Sequence, residues 1–323
     1  MGQRQADKIQ RDAQVAPEQA GQRLDQVAAA LFSDYSRSRL QAWIRSGELR
    51  VDGRSARPRD RLQGGEDLRL EAWTEAVIED RPEPMDLDIV HEDDALLVIN
   101  KPAGVVVHPA AGHADGTLMN GLLHHHPALE ALPRAGIVHR LDRDTTGLMV
   151  VAKTLQAHKA LVEQLQARSL FREYDALVVG VMTAGGRVEQ PVGRHPVDRK
   201  RMAVVDGGKP AVTHYRVEQR FRGHTRVRAR LETGRTHQIR VHMAWLRYPL
   251  VGDPVYGGRL KLPRGADESV REALRAFPRQ ALHAHRLGLE HPEDGQYREW
   301  QAPCPEDLRR LLAVLDADQD KAS

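Results

Sequence analysis

Apolar positions recur along the chain in two rhythms. Leu24, Val27, Ala28, Leu31 and Phe32 follow helical spacing, and Leu40, Trp43 and Ile44 repeat it after Ser36, a residue suited to capping a helix start. Gly47 stops the second helix. Leu49 and Val51 then alternate with polar neighbours up to Asp52-Gly53, a dipeptide that favours a tight hairpin turn, and Leu68 with Leu70 supplies a second short strand. The pattern predicts a small unit of two helices and a hairpin over residues 21–73. Residues 1–20 are polar and aperiodic and read as a flexible tail. Residues 74–88 are acidic, carry Pro82 and Pro84, and read as a linker.

From Ile89 onward the patterns mix. Leu96–Ile99 and Leu148–Ala152 are unbroken apolar runs of the kind that form buried strands, and Leu155–Arg168 returns to helical spacing behind Thr154. Thr225, Val227, Ala229 and Leu231 alternate with Arg226, Arg228, Arg230 and Glu232, which predicts a half-exposed strand with a basic outer face. Adjoining strand signals at 172–182, 211–220 and 224–232, with no internal repeat, predict a mixed, largely antiparallel sheet. The fold class is therefore α+β, with a second domain over 89–315 and a polar tail at 316–323. No apolar run approaches the roughly 20 residues of a membrane span, and the polar start is unlike a signal peptide. The expectation is a cytoplasmic protein with no membrane partner.

Composition narrows the chemistry. The 323 residues include one cysteine, Cys304, which excludes a disulfide framework and a cysteine-based zinc site. Lys and Arg total 48 against 45 Asp and Glu, for a formal net charge of +3, yet 40 of the basic residues are Arg. Arginine grips phosphate with a planar fork and stacks on bases. The charges are also segregated: Arg194–Arg240 holds 13 basic and 4 acidic residues, whereas Glu71–Ala95 holds 10 acidic and 1 basic. Such segregation suggests a basic face for a polyanion. In the first unit, eight arginines stand against four acids between Asp34 and Arg61. Among them Arg37, Arg39, Arg45, Arg50 and Arg54 are candidate RNA contacts.

Several chemistries lack their motifs. There is no G-x-x-x-x-G-K-[ST] loop and no G-x-G-x-x-G turn, so no nucleotide cofactor is expected, and no G-x-S-x-G elbow. His124-His125-His126 cannot all face one ion, so no metal site is assigned. Cys304, between two prolines near an acidic tail, is poorly placed for a nucleophile. The dense segment is GIVHRLDRDTTGLMVVAK (Gly136–Lys153), where Asp142 and Asp144 interleave with Arg140 and Arg143 between two apolar runs. Charges so placed must be paired. The spacing alone is compatible with a structural ion network and with an ionised carboxylate prepared as nucleophile or base.

Two resemblances bear on these segments. RLDQVAAALFSDYSRSRLQAWIRSGELRVDGR resembles the S4 RNA-binding domain over about Gln22–Ala72. HRLDRDTTGLMVVAK resembles the signature of the RluA/RluD-type pseudouridine synthases. INKPAGVVVHP (Ile99–Pro109), FREYDALVVG (Phe171–Gly180), TGRTHQIRVHM (Thr233–Met243), VGDPVYGG and RQALHAHRLGLEHP complete a series extending to Pro292. One small departure is Thr146, where the family more often carries serine. The resemblance implies a mixed catalytic sheet with an RNA cleft across it and an isomerase that needs no cofactor. It implies Asp142 as the catalytic aspartate, attacking C1′ or C6 or assisting departure of the uracilate. Arg240 would pair with and orient Asp142, and Tyr174 would stack under the flipped uracil and relay a proton. Arg140 would fill the stack vacated by the base, with His139 and Lys101 also counted among the substrate contacts. The implied partner is large-subunit rRNA at the inter-subunit stem-loop, free or in an assembling ribosomal particle. A relative acting on tRNA and a non-catalytic S4-type assembly protein are the alternatives. A glycosidase pair made of Asp142 and Asp144 leaves the basic faces unexplained.

Overall fold

The computed structural model describes residues 8–73, 81–109 and 115–322. The chain divides into two compact units, Met1–Glu79 and Asp80–Ser323. Among the described residues no helix is long and apolar enough to cross a membrane.

The first unit comprises β1 (Lys8–Gln14), α1 (Leu24–Leu31), α2 (Arg37–Ser46), β2 (Leu49–Val51) and β3 (Asp67–Trp73). The two helical stripes bury Leu24, Val27, Leu40, Trp43 and Ile44 against Leu49, Leu68 and Leu70 of the sheet. Ser36 Oγ accepts the Arg39 N–H at 3.3 Å, and Gly47 ends α2 at φ 83°. Asp52 and Gly53 make the turn at φ 48° and 74°. The tail expected over residues 1–20 is corrected by β1, which pairs antiparallel with β3 from Lys8↔Trp73 to Gln14↔Asp67. It is an edge strand in the order β1-β3-β2, and Ile9 is its one buried residue, so no alternation marks it in the sequence. Residues 1–7 of that tail lie outside the described residues.

The second unit is built on a nine-stranded sheet. Its elements are β4 (Ile89–Glu92), β5 (Leu96–Lys101), α3 (Leu118–His125), β6 (Thr146–Ala152), α4 (Leu155–Ala167), β7 (Phe171–Val179), β8 (Gly186–Glu189), β9 (Val192–Arg194), β10 (Met202–Val204), β11 (Val212–Arg220), β12 (His224–Leu231), α5 (Gln238–Trp245), α6 (Glu268–Ala276), β13 (Leu282–Glu290), β14 (Tyr297–Gln301) and α7 (Glu306–Ala322). The sheet runs β4-β5-β6-β13-β7-β12-β11-β8 with β14 on β13; β9 and β10 pair separately. The β6–β13 pair is parallel and the other pairings are antiparallel, so the sheet is mixed and largely antiparallel. Strands buried on both faces explain the unbroken apolar runs. Leu97, Ile99, Met149, Val151, Tyr174 and Ala176 pack with residues of α3 and α5. Leu96, Val98, Leu148 and Val150 pack with Ala157 and Leu161 of α4.

Three expectations change here. Of the linker, residues 74–80 lie outside the described residues, while 81–88 lie along the second unit. Asn120 Nδ2 donates to the Arg81 carbonyl at 2.8 Å, Met85 packs against Gly121, and Asn100 Nδ2 donates to Asp88 at 2.8 Å. The polar tail begins too early at 316, because α7 continues to Ala322. Asp318 is buried there and accepts Arg222 Nε at 2.8 Å; an ion pair, not an apolar side chain, seats this turn. The basic outer face of β12 is largely neutralised. Arg226 forks onto buried Asp175 at 3.0 and 2.7 Å, and Arg228 lies 3.3 Å from Asp175 and 3.8 Å from Glu173.

Candidate active site

The charged segment 139–144 precedes β6 and borders a cleft of about 630 Å³. Leu141 is buried in the core, while Arg140 is exposed and the Asp142 side chain keeps 18% of its exposure. The loop is pinned through its backbone. The Asp142 carbonyl accepts the Thr145 N–H at 3.1 Å, and the Asp144 carbonyl accepts Arg279 Nη1 at 3.2 Å. Arg279 is itself held by Asp307 at 2.6 and 2.8 Å. Gly147, at φ 111°, lets β6 approach β13: a Cβ there would lie 2.3 Å from the Ala284 carbonyl oxygen. Lys101 completes the anchoring, and its assignment as an RNA contact is corrected. It is 1% exposed, and Nζ donates to the carbonyls of Pro102, Val105 and Arg143 at 2.7, 3.0 and 2.8 Å. Burial pushes its ammonium down to about 8, with Asp144 and Asp142 pulling the other way. All three of its donor hydrogens serve the protein, which leaves none for phosphate.

Asp142 is met from α5. Arg240 Nη1 donates to Asp142 Oδ2 at 2.9 Å, and its other edge grips Asp253, Nε to Oδ2 at 2.7 Å and Nη2 to Oδ1 at 2.9 Å. Burial opposes the Arg240 charge, but the two carboxylates outweigh it and hold the guanidinium above its ordinary value. Asp253 is held low: burial raises it, but Arg240 and the Val255 and Tyr256 N–H groups outweigh that. The Arg240 guanidinium also lies 5.1 Å over the Tyr256 ring. Tyr256 Oη accepts the Met202 N–H at 2.9 Å and lies 2.8 Å from His237 Nδ1. Burial favours the neutral form of His237, with Asp142 pulling the other way, and its Nε2 lies 3.8 Å from Asp142 Oδ1. A carboxylate fixed by a guanidinium, with an open cleft before it, suits attack on, or charge exchange with, a bound ring.

A family model described as RNA pseudouridylate synthase matches residues 95–245, and the S4 domain model matches residues 22–68. Ribosomal large subunit pseudouridine synthase D of Pseudomonas aeruginosa is 59% identical over 315 residues, 98% of each chain. The protein of the same name from Escherichia coli (strain K12) is 54% identical, over 97% of this chain and 96% of that one. The chain belongs to the RNA pseudouridylate synthase family. Among solved structures, human RNA Pseudouridylate Synthase Domain Containing 4 matches with a TM-score of 0.57 and 27% identity, over 71% of this chain and 92% of that one.

In this synthase Tyr174 lies 6% exposed on β7 and lines the cleft with Asp142, His139, Arg140 and Arg240. Burial raises its phenol, with Asp142 adding and Arg172 opposing, so the hydroxyl stays protonated. His139 Nε2 accepts the Val150 N–H at 3.1 Å, and burial pushes it down to about 3; it is a neutral brace, not a cation for phosphate. Among the described residues Arg140 has no hydrogen bond or ion pair. The five candidate arginines of the first unit form a separate set, all exposed. Arg37 grips buried Asp25 at 2.8 Å, Arg39 lies 5.6 Å over the Trp43 ring, and Arg45 Nη2 donates to Gln41 at 3.4 Å. Arg50 Nε donates to the Gly47 carbonyl at 3.0 Å, and Arg54 closes the turn. No metal-ligating group of His, Cys, Asp or Glu occurs among the described residues, and burial lifts the Cys304 thiol to about 11. Sequence reasoning passed over Asp253, His237, Arg279 and Arg172. The first two lie inside the motifs VGDPVYGG and TGRTHQIRVHM, where a lone acid and the first of two imidazoles were the available signals.

Proposed function

We propose that this synthase converts specific uridines of large-subunit rRNA to pseudouridine in the cytoplasm, on the RNA or on an assembling ribosomal particle. The inter-subunit stem-loop is the target, and the S4 unit grips structured RNA. The observation that carries the reading is the Arg240 fork. A buried guanidinium bridges Asp253, which is part of the scaffold, to Asp142, which faces the cleft. The names and near-complete coverage of the relatives support the substrate class.

The reaction breaks N1–C1′, turns the uracil and joins C5 to C1′. The C5 proton leaves and N1 gains one, so no redox partner or added group is required. Asp142 serves by attack at C1′, by attack at C6 or by assisting departure of the uracilate, and the same placement suits all three. Arg240 orients it through a fork that cannot rotate without breaking the Asp253 contacts. Tyr174 stacks under the flipped base, and Arg140 enters the gap left in the RNA. Asp142→Asn keeps the shape and removes the charge. With RNA tritiated at uridine C5, this variant is expected to release no tritium while binding RNA like the wild type; normal release overturns the assignment.

A further inference from the structure

The geometry points to Arg172 as a catalytic residue, a buried guanidinium that takes up the negative charge spread over the carbonyl oxygens of the target uracil while the base is detached. The inference deepens the function proposed above and rests on it.

Arg172 lies on β7 two residues before Tyr174, so strand alternation sends both side chains to one face, and both line the cleft. It is 5% exposed. Among the described residues it has no hydrogen bond and no carboxylate within ion-pair distance, and its Nε is buried without a partner. Each other strongly buried arginine is satisfied: Arg240 by Asp253 and Asp142, Arg279 by Asp307. An unpaired buried charge is costly, and its cost is offset when a ligand brings the opposite charge.

The neighbouring chain makes room for it. A Cβ on Gly234 would lie 2.9 Å from Arg172 Nη1, so the glycine of TGRTHQIRVHM lets the guanidinium lie against that turn. When N1–C1′ breaks, the bonding pair stays on the uracil and delocalises to O2 and O4. Attack at C6 likewise sends charge to O4. Bond formation from C5 to C1′ takes up that pair; loss of the C5 proton then returns a pair to the ring, and a proton added at N1 neutralises it. Charge therefore appears on the ring oxygens in transit only, and a donor fixed beforehand stabilises the transition state more than the ground state. A backbone phosphate is the competing anion; the depth of Arg172 beside Tyr174 favours the base.

The test uses full-length protein with Arg172→Met and Arg172→Lys. In single-turnover tritium release at saturating rRNA, Arg172→Met is expected to slow by about 10²- to 10³-fold, with Arg172→Lys intermediate and RNA Kd unchanged. The melting temperature of Arg172→Met should equal or exceed that of the wild type, because an unpaired charge has left the core. Gly234→Ala should slow the wild type and add nothing to Arg172→Met. RNA with sulfur replacing O2 or O4 of the target, a weaker acceptor, gives the sharpest reading: one of the two substitutions should slow the wild type and lose its effect in Arg172→Met. A wild-type rate in Arg172→Met overturns the inference, as does a lower melting temperature accompanying the lost rate, or equal sulfur effects in both proteins. Weakened Kd with an intact saturated rate assigns Arg172 to phosphate and also overturns it. A wild type that releases no tritium from rRNA refutes the underlying function, and this inference with it.

Discussion

Asp253→Asn tests the clamp that positions Asp142. The carboxylate accepts four hydrogen bonds: Oδ2 from Arg240 Nε at 2.7 Å, and Oδ1 from Arg240 Nη2, Val255 N and Tyr256 N at 2.9, 2.9 and 3.0 Å. An amide must turn its own N–H groups toward one of these sets. The less crowded choice faces Arg240 Nε, so one charge-assisted bond becomes a clash of donors. Arg240, 4% exposed, is left with Asp142 as its one carboxylate. Removing one partner of a buried ion pair costs about 3–5 kcal/mol. At about 2–4 °C per kcal/mol for a unit of this size, the melting temperature should fall by roughly 6–20 °C. A guanidinium no longer fixed by Asp253 lets Asp142 shift with it, and a displacement near 1 Å costs on the order of 100-fold in turnover. Thermal melts and single-turnover tritium release at saturating rRNA read the two effects, with RNA Kd expected to stay constant. A variant that melts and turns over like the wild type refutes the claim that Asp253 sets the site.

Lys101→Met should lower stability by about 1–3 kcal/mol by leaving buried carbonyls unpaired, while the slope of log Kd against log salt stays that of the wild type; a flatter slope would restore Lys101 to the RNA surface. Arg45→Ala with Arg54→Ala should leave melting unchanged and flatten that slope by about 0.9 for each duplex phosphate that is no longer neutralised. Arg37→Ala should in addition lower melting, because Arg37 grips buried Asp25. Acidification should destabilise the fold: burial depresses His108, His139, His224 and His283 to about 4, 3, 4 and 4. The unfolded chain therefore binds more protons below pH 6.5, and stability falls as pH drops from there toward 4. Urea melts at pH 7 and pH 5 check the sign, and His224→Leu, which removes a ring with both nitrogens unpartnered, should reduce the loss; equal stability at the two pH values refutes it.

What the sequence discloses follows from the range of the forces involved. Helical stripes, the Ser36 cap and the Asp52-Gly53 turn are local, and they appear where periodicity and capping chemistry place them. β1 is hidden because an edge strand with one buried residue has no alternation to display. The last turns of α7 are hidden because buried Asp318 is polar like a tail residue. Charge counts overstate the basic face of β12, since its partners Asp175 and Glu173 belong to another strand. At the site, motifs single out Asp142, Tyr174 and Arg240, yet no spacing encodes a hydrogen bond between Asp142 and Arg240 98 residues apart. Lys101 shows the converse: a lysine next to a proline gives no sign that its ammonium is enclosed by three carbonyls.

Mapping pseudouridines on large-subunit rRNA by carbodiimide-stopped reverse transcription, in a deletion strain complemented with wild type or Asp142→Asn, tests the central claim most directly. The account predicts stops in the inter-subunit stem-loop that vanish on deletion, return with the wild type and stay absent with Asp142→Asn. Stops that persist in the deletion strain, or that return with Asp142→Asn, contradict it.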